Sequence, residues 1–338
     1  MKSKATLKQI AKELGVSVST VSKAISNSHE ISYQTKERVN ELVKKLNYVP
    51  NAYASSLGKR KSKTIGVVIP EVVDSFFAQA INGIELIAQE KGYHVLIYLT
   101  HESFEKETLI LKDFESGRVD GVLMSVSRET SHCNHINDLK NKGVPLVFFD
   151  RIFDDMEATK VATNDYESAY QATTYLIKKG CKNILFLSFS NSLSISTKRL
   201  NGYKDALTDN QLKSVDKNIL AFNNDPKADY LLLLKKLKSK NRADGILASV
   251  EKLALPVYQA CEALGIEIPR DLQLISFSNI ETAAFLNPPL TTIEQPAFDI
   301  GKTAAAILVR ALERKQFELQ NEVIILPATM VLRKSTRV

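Results

Sequence analysis

The start of the chain alternates apolar and polar positions with the period of a helix. Leu7, Ile10, Ala11 and Leu14 fall at i, i+3, i+4 and i+7, which makes one apolar helical face. Thr6 can cap that helix, and Gly15 can take the left-handed conformation that ends it. Ser17 restarts the chain as the cap of a second helix, with Val21, Ala24 and Ile25 turned inward. A third helix, capped near Ser32, carries Val39, Leu42, Val43 and Leu46 on one side. From Thr64 the pattern becomes short apolar runs between amphipathic stretches. TIGVVI, HVLIYL, DGVLMS and PLVFF predict buried parallel strands, with helices beginning near Ser75, Lys106 and His135. NILFLS, KNILAF, DGILAS and LQLISF form a second series, with helices near Ser168, Thr197, Ala228 and Lys252. Two such series imply two doubly wound lobes. The expected fold is a small all-α head in front of an α/β body.

Charge sharpens the division. The net charge is +7, but residues 1–63 alone carry +9, so the remainder is close to neutral. A compact basic head on a near-neutral body is the footprint of a protein that binds a phosphate backbone. Its bases are spread along helical patterns rather than gathered in one block, as in a merely solvated tail. The cysteines, Cys133, Cys181 and Cys261, are far apart, which argues against a disulfide scaffold and fits a reducing, cytoplasmic setting. The start MKSKATLKQIAKELGV lacks a signal-peptide core, and no apolar run reaches the roughly eighteen residues of a membrane span.

Ala11, Gly15 and Val21 make an A-x3-G-x5-V pattern, a small residue where two helices cross and a turn residue that tolerates positive φ. By itself that pattern is weak; at the front of a basic three-helix unit it predicts a helix-turn-helix. In such a motif the second helix enters the major groove with its N-terminal residues against base edges. Ser17, Val18, Ser19, Thr20, Ser22 and Lys23 are therefore the expected readers. Val18 offers methyl surface to thymine, and Ser19 a hydroxyl to several bases. Lys2, Lys4, Lys36 and Lys44 are expected on phosphate, which positions the head without reading sequence. Beyond it, Pro50 stops the third helix, and AYASSL precedes the basic run Lys59, Arg60, Lys61 and Lys63. Taken alone, that segment reads as a linker.

The stretches TLKQIAKELGVSVSTVSKAIS and ISYQTKERVNELVKKLNYVPNAYASSL closely resemble the head of the LacI/GalR (lactose-repressor) family of bacterial transcription regulators. The likeness continues in family order through IGVVIPEVVDSFFAQAINGIELIAQEKGYHVLI, RVDGVLM, GVPLVFFDR, RLNGY, LGIEIPRDLQLISFSN, LNPPLTTIEQPAFDIG and LPATMVLRKST. It implies a periplasmic-binding-protein-like body that binds a small-molecule effector and holds a homodimer together on palindromic double-stranded operator DNA. It also implies that AYASSL is a hinge helix that places Leu57 in the minor groove as a wedge, flanked by Ser56 and Gly58. Thr6, Asn51 and Lys59 join the expected DNA contacts. The implied organisation is a helix-turn-helix domain at 1–50, hinge and linker at 51–63, and an effector and dimerisation domain at 64–338. Within the last, the chain would cross back, giving lobe one 64–162 and 293–322 and lobe two 163–292 and 325–338. No leucine heptads follow RKST, so a dimer is expected rather than a tetramer.

Ligands of open α/β sheets sit beyond the carboxyl ends of the strands. In the first lobe those loops hold Asp74, Ser75, Phe76, Phe77, Ser125, Ser127, Asp150 and Arg151. In the second they hold Ser190, Ser194, Arg199, Ser249, Glu251, Ser278 and Asn279. Aromatic faces beside hydroxyls, an arginine and carboxylates suit a sugar or a nucleoside; Phe76 and Phe77 could equally be core. Arg199, in RLNGY, matches an arginine that many family members place on their effector. The chain departs from the family at Ser278, where an acid is common, and at Val250 and Glu251, where Asn-Asp is common. The effector therefore cannot be copied from a relative: sugar catabolism is the leading expectation and purine control the alternative.

Enzymes and transport receptors are the rival classes. No G-x-G-x-x-G, G-x-x-x-x-G-K-[ST] or G-x-S-x-G occurs, and no cofactor is expected. His132, Cys133 and His135 resemble a metal cluster but have no second ligand pair, and Asp244 and Glu281 read as isolated acids. A solute receptor for transport would carry an export signal and no helix-turn-helix.

Overall fold

The computed structural model describes residues 5–46, 48, 62–190, 192–212, 216–222, 225–314 and 318–337. The chain forms two compact units, Met1–Ser62 and Lys63–Val338.

In the first unit α1 (Leu7–Leu14), α2 (Val18–Ile25) and α3 (Tyr33–Lys45) follow one another through short turns. Each is capped as its sequence dictates. The side chains of Thr6, Ser17 and Ser32 accept from the backbone N–H of Gln9, Thr20 and Thr35, satisfying donors that a helix start leaves orphaned. Gly15 ends α1 at φ 67°, and its N–H closes on the Ala11 carbonyl. Ile10, Ala11, Val21, Ala24 and Val39 form the small buried core.

In the second unit, one sheet of six described strands has the order β11-β5-β4-β3-β1-β2, and all its pairs are parallel. Its members are β1 (Thr64–Ile69), β2 (His94–Leu99), β3 (Gly121–Met124), β4 (Leu146–Phe149), β5 (Thr159–Thr163) and β11 (Val323–Leu326). The other has the order β12-β10-β9-β8-β6-β7, parallel except for antiparallel β12. It comprises β6 (Ile184–Ser188), β7 (Ile219–Ala221), β8 (Gly245–Ala248), β9 (Gln273–Phe277), β10 (Thr291–Glu294) and β12 (Thr329–Val331). The helices that bear on the site are α4 (Ser75–Glu90), α5 (Phe104–Phe114), α6 (Asn134–Asn141), α7 (Asp165–Lys178), α8 (Ser194–Asp209), α9 (Pro226–Leu237), α10 (Ala254–Leu264) and α11 (Ala297–Glu313).

Several boundaries differ from the expected ones. Helix starts near Lys106, His135, Ser168, Thr197 and Ala228 lie one to three residues earlier, at Phe104, Asn134, Asp165, Ser194 and Pro226, and the one near Lys252 lies later, at Ala254. The strand β5 reads T-K-V-A-T, too polar to announce itself, yet Lys160 is buried because its Nζ donates to the Asp154 carbonyl at 2.6 Å. β10 belongs to the second sheet and β11 to the first, so the returning segment runs through Leu326 rather than from 293 to 322. That segment carries α11, whose Ile300, Ala304 and Leu308 share an apolar cluster with Ile65, Val67 and Leu123.

Candidate functional site

In the head, α2 presents Ser17, Val18, Ser19, Ser22 and Lys23 to solvent, with Thr20 half-buried. Val18 is 41% exposed, unusual for a valine on a short helix whose other face is core. Ser17 Oγ and Thr20 Oγ1 lie 2.8 Å apart and so steady the start of the helix. Lys23 pairs with Glu30. Thr6 is exposed at the α1 cap, Lys44 is exposed on α3, and the half-buried Lys36 donates to the Asn27 carbonyl at 3.4 Å. The other expected DNA contacts, Asn51, Ser56, Leu57 and Lys59, and also Lys2 and Lys4, lie outside the described residues.

In the body, the loops beyond the strand ends of the two sheets line a narrow pocket between them. Asp74, Phe76, Asp150 and Arg151 line it from the first sheet's side, and Arg199, Glu251, Phe277, Ser278 and Asn279 from the second's. Asp74 caps α4, its Oδ1 accepting from Phe76 N at 3.0 Å. Asp150 follows β4 at φ 60°, a left-handed conformation that re-aims the chain between Phe149 and Arg151. Glu251 bridges the two sides. It accepts from Ser278 Oγ at 2.8 Å and Asn279 N at 3.1 Å in its own lobe, and from the Ser75 hydroxyl at the start of α4. Its carboxylate thus reaches Ser278 from the β8 side.

Both arginines are fixed by buried carboxylates. Arg199 donates from Nε to Asp165 Oδ1 at 2.7 Å and from Nη1 to the Ser249 carbonyl, with its guanidinium 3.9 Å over the Phe277 ring. It is 2% exposed, and Nη2 is buried with no partner among the described residues. Arg151 donates from Nη1 to both Glu102 oxygens at 2.8 and 3.0 Å, and its buried Nε likewise lacks a hydrogen-bond partner. Burial pushes the Asp150 carboxyl up to about 7, against the pull of Arg151 and Arg199. Burial and then the charge of Glu251 push Asp74 up as well.

Some expected residues serve the cavity from behind. Ser125 Oγ accepts from Arg151 N at 3.3 Å, Ser127 N donates to Glu107 at 2.7 Å, and Ser249 holds Arg199 through its carbonyl; none lines the cavity. Ser194 Oγ donates to the Ile152 carbonyl at 3.0 Å, tying one lobe to the other, while Ser190 is buried against Ser192. Phe77 lines an adjoining, roomier chamber of about 260 Å³ with Phe189, Lys252 and Leu286, and both Phe76 and Phe77 are also core. Missed altogether were Ile195, Phe277 and Gln295, while Val250, expected only as a departure from the family pattern, also lines the pocket. Gln295 donates to Asp150 Oδ1 at 3.5 Å and to Asn279 Oδ1 from its backbone at 3.0 Å. Its place at the end of β10 was the signal, hidden because β10 was not read as a strand. His135 Nε2 lies 2.8 Å from the buried Glu107 carboxylate, so this histidine belongs to a loop-holding network. Asp244 is not isolated: it accepts from Lys182 N at 2.8 Å and Asn183 N at 2.8 Å, joining the starts of β6 and β8.

Residues 6–51 match the model of the bacterial regulatory proteins of the lacI family, and residues 173–336 that of a periplasmic binding protein-like domain. The chain is 30% identical to the HTH-type transcriptional repressor PurR of Vibrio atlanticus, over 95% of this chain and 97% of that protein. It is 31% identical to catabolite control protein A of Staphylococcus epidermidis, over 98% and 99% of the two. The chain belongs to the LacI family. It is a DNA-binding transcription regulator with an effector-binding body. Among solved structures, the CcpA transcription regulator of Lactococcus lactis shares 27% identity at a TM-score of 0.73, covering 81% of this chain and 99% of that one. The lac repressor dimer bound to operator shares the fold at a TM-score of 0.85 and 22% identity, covering 99% and 100%. No described helix is long and apolar enough to cross a membrane.

Proposed function

We propose that this LacI-family regulator is a homodimeric repressor with one head on each half of a palindromic operator. Its operator affinity is set by a polyhydroxylated effector, a sugar or sugar derivative, in the cavity between the lobes. The observation that carries the effector reading is the pair of buried guanidinium N–H groups, on Arg199 and Arg151, left unsatisfied beside carboxylates. A buried donor without a partner costs about 1–3 kcal/mol, so a ligand supplying oxygens there binds with that cost relieved. Neighbouring hydroxyls both accept from the arginines and donate to Asp74, Asp150 and Glu251.

In the head, Val18 and Ser19 read bases while Lys36 and Lys44 add charge, with Thr6, Ser17, Thr20, Ser22 and Lys23 alongside. Asn51, Ser56, Leu57 and Lys59 continue the contact into the minor groove. The test is a binding-site selection on purified variants at two salt concentrations. Val18 or Ser19 substitutions should change the preferred base, at about 1–3 kcal/mol for the affected position. Lys36 or Lys44 substitutions should weaken all DNA alike and flatten the salt dependence by about one unit per lost contact. Leu57→Ala should lose most where the operator centre is a flexible pyrimidine–purine step. Selection of the wild-type sequence by the Val18 and Ser19 variants would move the reading helix elsewhere.

A further inference from the structure

The narrow pocket opens onto the adjoining chamber. Asp74, Arg151, Glu251 and Ser278 line both, so one molecule can touch both spaces through these polar side chains. The two spaces differ in size. The narrow pocket leaves room for little more than a water molecule beside Arg199. The chamber, at about 260 Å³, approaches the roughly 300 Å³ at which small-molecule sites begin.

They differ in chemistry as well. Beyond the shared groups, Phe77, Phe189, Leu255, Ile280, Leu286 and Leu290 line the chamber, and its further charged side chains are Glu71 and Lys252. Lys252 lies against the apolar wall, its Nζ 3.6 Å over the Phe189 ring, and burial holds its pKa below the ordinary lysine value. Arg151 marks the boundary between the polar and apolar ends. Its guanidinium carbon is 5.5 Å from the centre of the Phe77 ring and 5.7 Å from that of Phe189, while Nη1 is held by Glu102. The open side of the chamber adds a separate observation. Val73 from the first lobe and Leu255 from the second both line it, and they are 94% and 47% exposed. Apolar side chains left in water at the mouth of a pocket gain by closing on an apolar guest.

We infer that the effector is a glycoside with an aromatic aglycone: its sugar meets Asp74, Arg151, Glu251 and Ser278, and its ring fills the chamber against Phe77 and Phe189. This rests on the reading of the cavity as a polyol site and narrows it. A second sugar unit in the chamber would surrender the hydration of its hydroxyls to a wall with few partners for them. A purine base has the right breadth, but its ring nitrogens and exocyclic groups would lie unpaired against leucine and isoleucine. An aryl ring brings apolar area and can meet Phe77 or Phe189 edge to face. It is also rigid, so little conformational freedom is lost when it is held.

The test is calorimetric titration of the full chain at neutral pH with free sugars and their methyl and phenyl glycosides, for glucose, galactose and mannose in both anomers, with adenosine and guanosine alongside. In at least one set the phenyl glycoside should bind tenfold or more tightly than the methyl glycoside. Leu255→Ser should shrink that phenyl-to-methyl ratio at least threefold, and Val73→Ser supplies the same test from the first lobe; both side chains are exposed enough for the fold to carry the change. An unchanged ratio in both variants would put the ring outside the chamber and overturn the inference. Methyl glycosides binding as tightly as phenyl glycosides in every set would overturn it too, while leaving a sugar-responsive regulator. A nucleoside binding best, or silence from every sugar and glycoside, would sink the sugar reading and this inference with it.

Discussion

Arg199 holds the fold and reaches the cavity at once. Its Nε and Nη1 fasten α8 to Asp165 at the start of α7 and to the carbonyl of Ser249 after β8, while Nη2 has no partner among the described residues. Arg199→Ala would remove the proposed effector contact but also strand Asp165, a carboxylate that is 3% exposed and whose pKa burial already raises. Breaking a buried pair from one side costs about 3–5 kcal/mol, much of it from the unpaired charge left behind. The single variant should therefore unfold at markedly lower temperature. Arg199→Ala combined with Asp165→Asn should recover most of that stability without recovering the operator response to whichever sugar binds the wild type. Thermal unfolding and an operator-binding assay with and without that sugar separate the two effects. A double variant that still responds would place the effector away from Arg199.

At the scale of elements, the lobes are organised by close helix crossings at glycine. A Cβ on Gly301 of α11 would fall 2.0 Å from the Ala80 carbonyl oxygen of α4, and one on Gly83 of α4 would fall 2.0 Å from that of Phe298. In the second lobe Gly202 of α8 meets the Tyr166 carbonyl of α7 in the same way, at 2.2 Å. Backbone cannot yield as a flexible side-chain end does, so the helices must spread. Gly301→Ala should lower stability by about 1–3 kcal/mol or more. Gly143→Ala, at φ 80° but facing open space, should cost less, because only local backbone strain is added. Urea midpoints of the two variants check this ordering, and equal losses would mean that the α4–α11 crossing can relax.

At the scale of the whole molecule, a single short reading helix contacts too few base pairs for the specificity a regulator needs. Two heads on a palindrome double the contacts and make the operator's symmetry that of the protein. Sedimentation at micromolar concentration should therefore show a dimer; a stable monomer, or a tetramer, would contradict it. The body has apolar surface to bury in such an assembly. Ile97 on the edge strand β2 is 44% exposed, and Leu109 on α5 is 59% exposed.

What the amino-acid order determined by itself was whatever depends on neighbours a few residues apart. The caps at Thr6, Ser17 and Ser32, the left-handed Gly15, the exposed face of α2 and most of the parallel strands are local periodicities and local hydrogen bonds, and they are legible as such. The loops that would face the cleft were legible too, because parallel strands put their carboxyl ends on one edge. Which side chains in those loops meet was decided only by the tertiary structure. Ser125 and Ser127 turned behind the wall, Gln295 came across 145 residues to Asp150, and Glu251 reached Ser75 across 176. Arg199 found Asp165 from 34 residues away, which set the charge balance of the cavity. Burial of polar groups is permitted only where partners arrive, and partners that arrive from separate lobes leave no periodic trace along the chain.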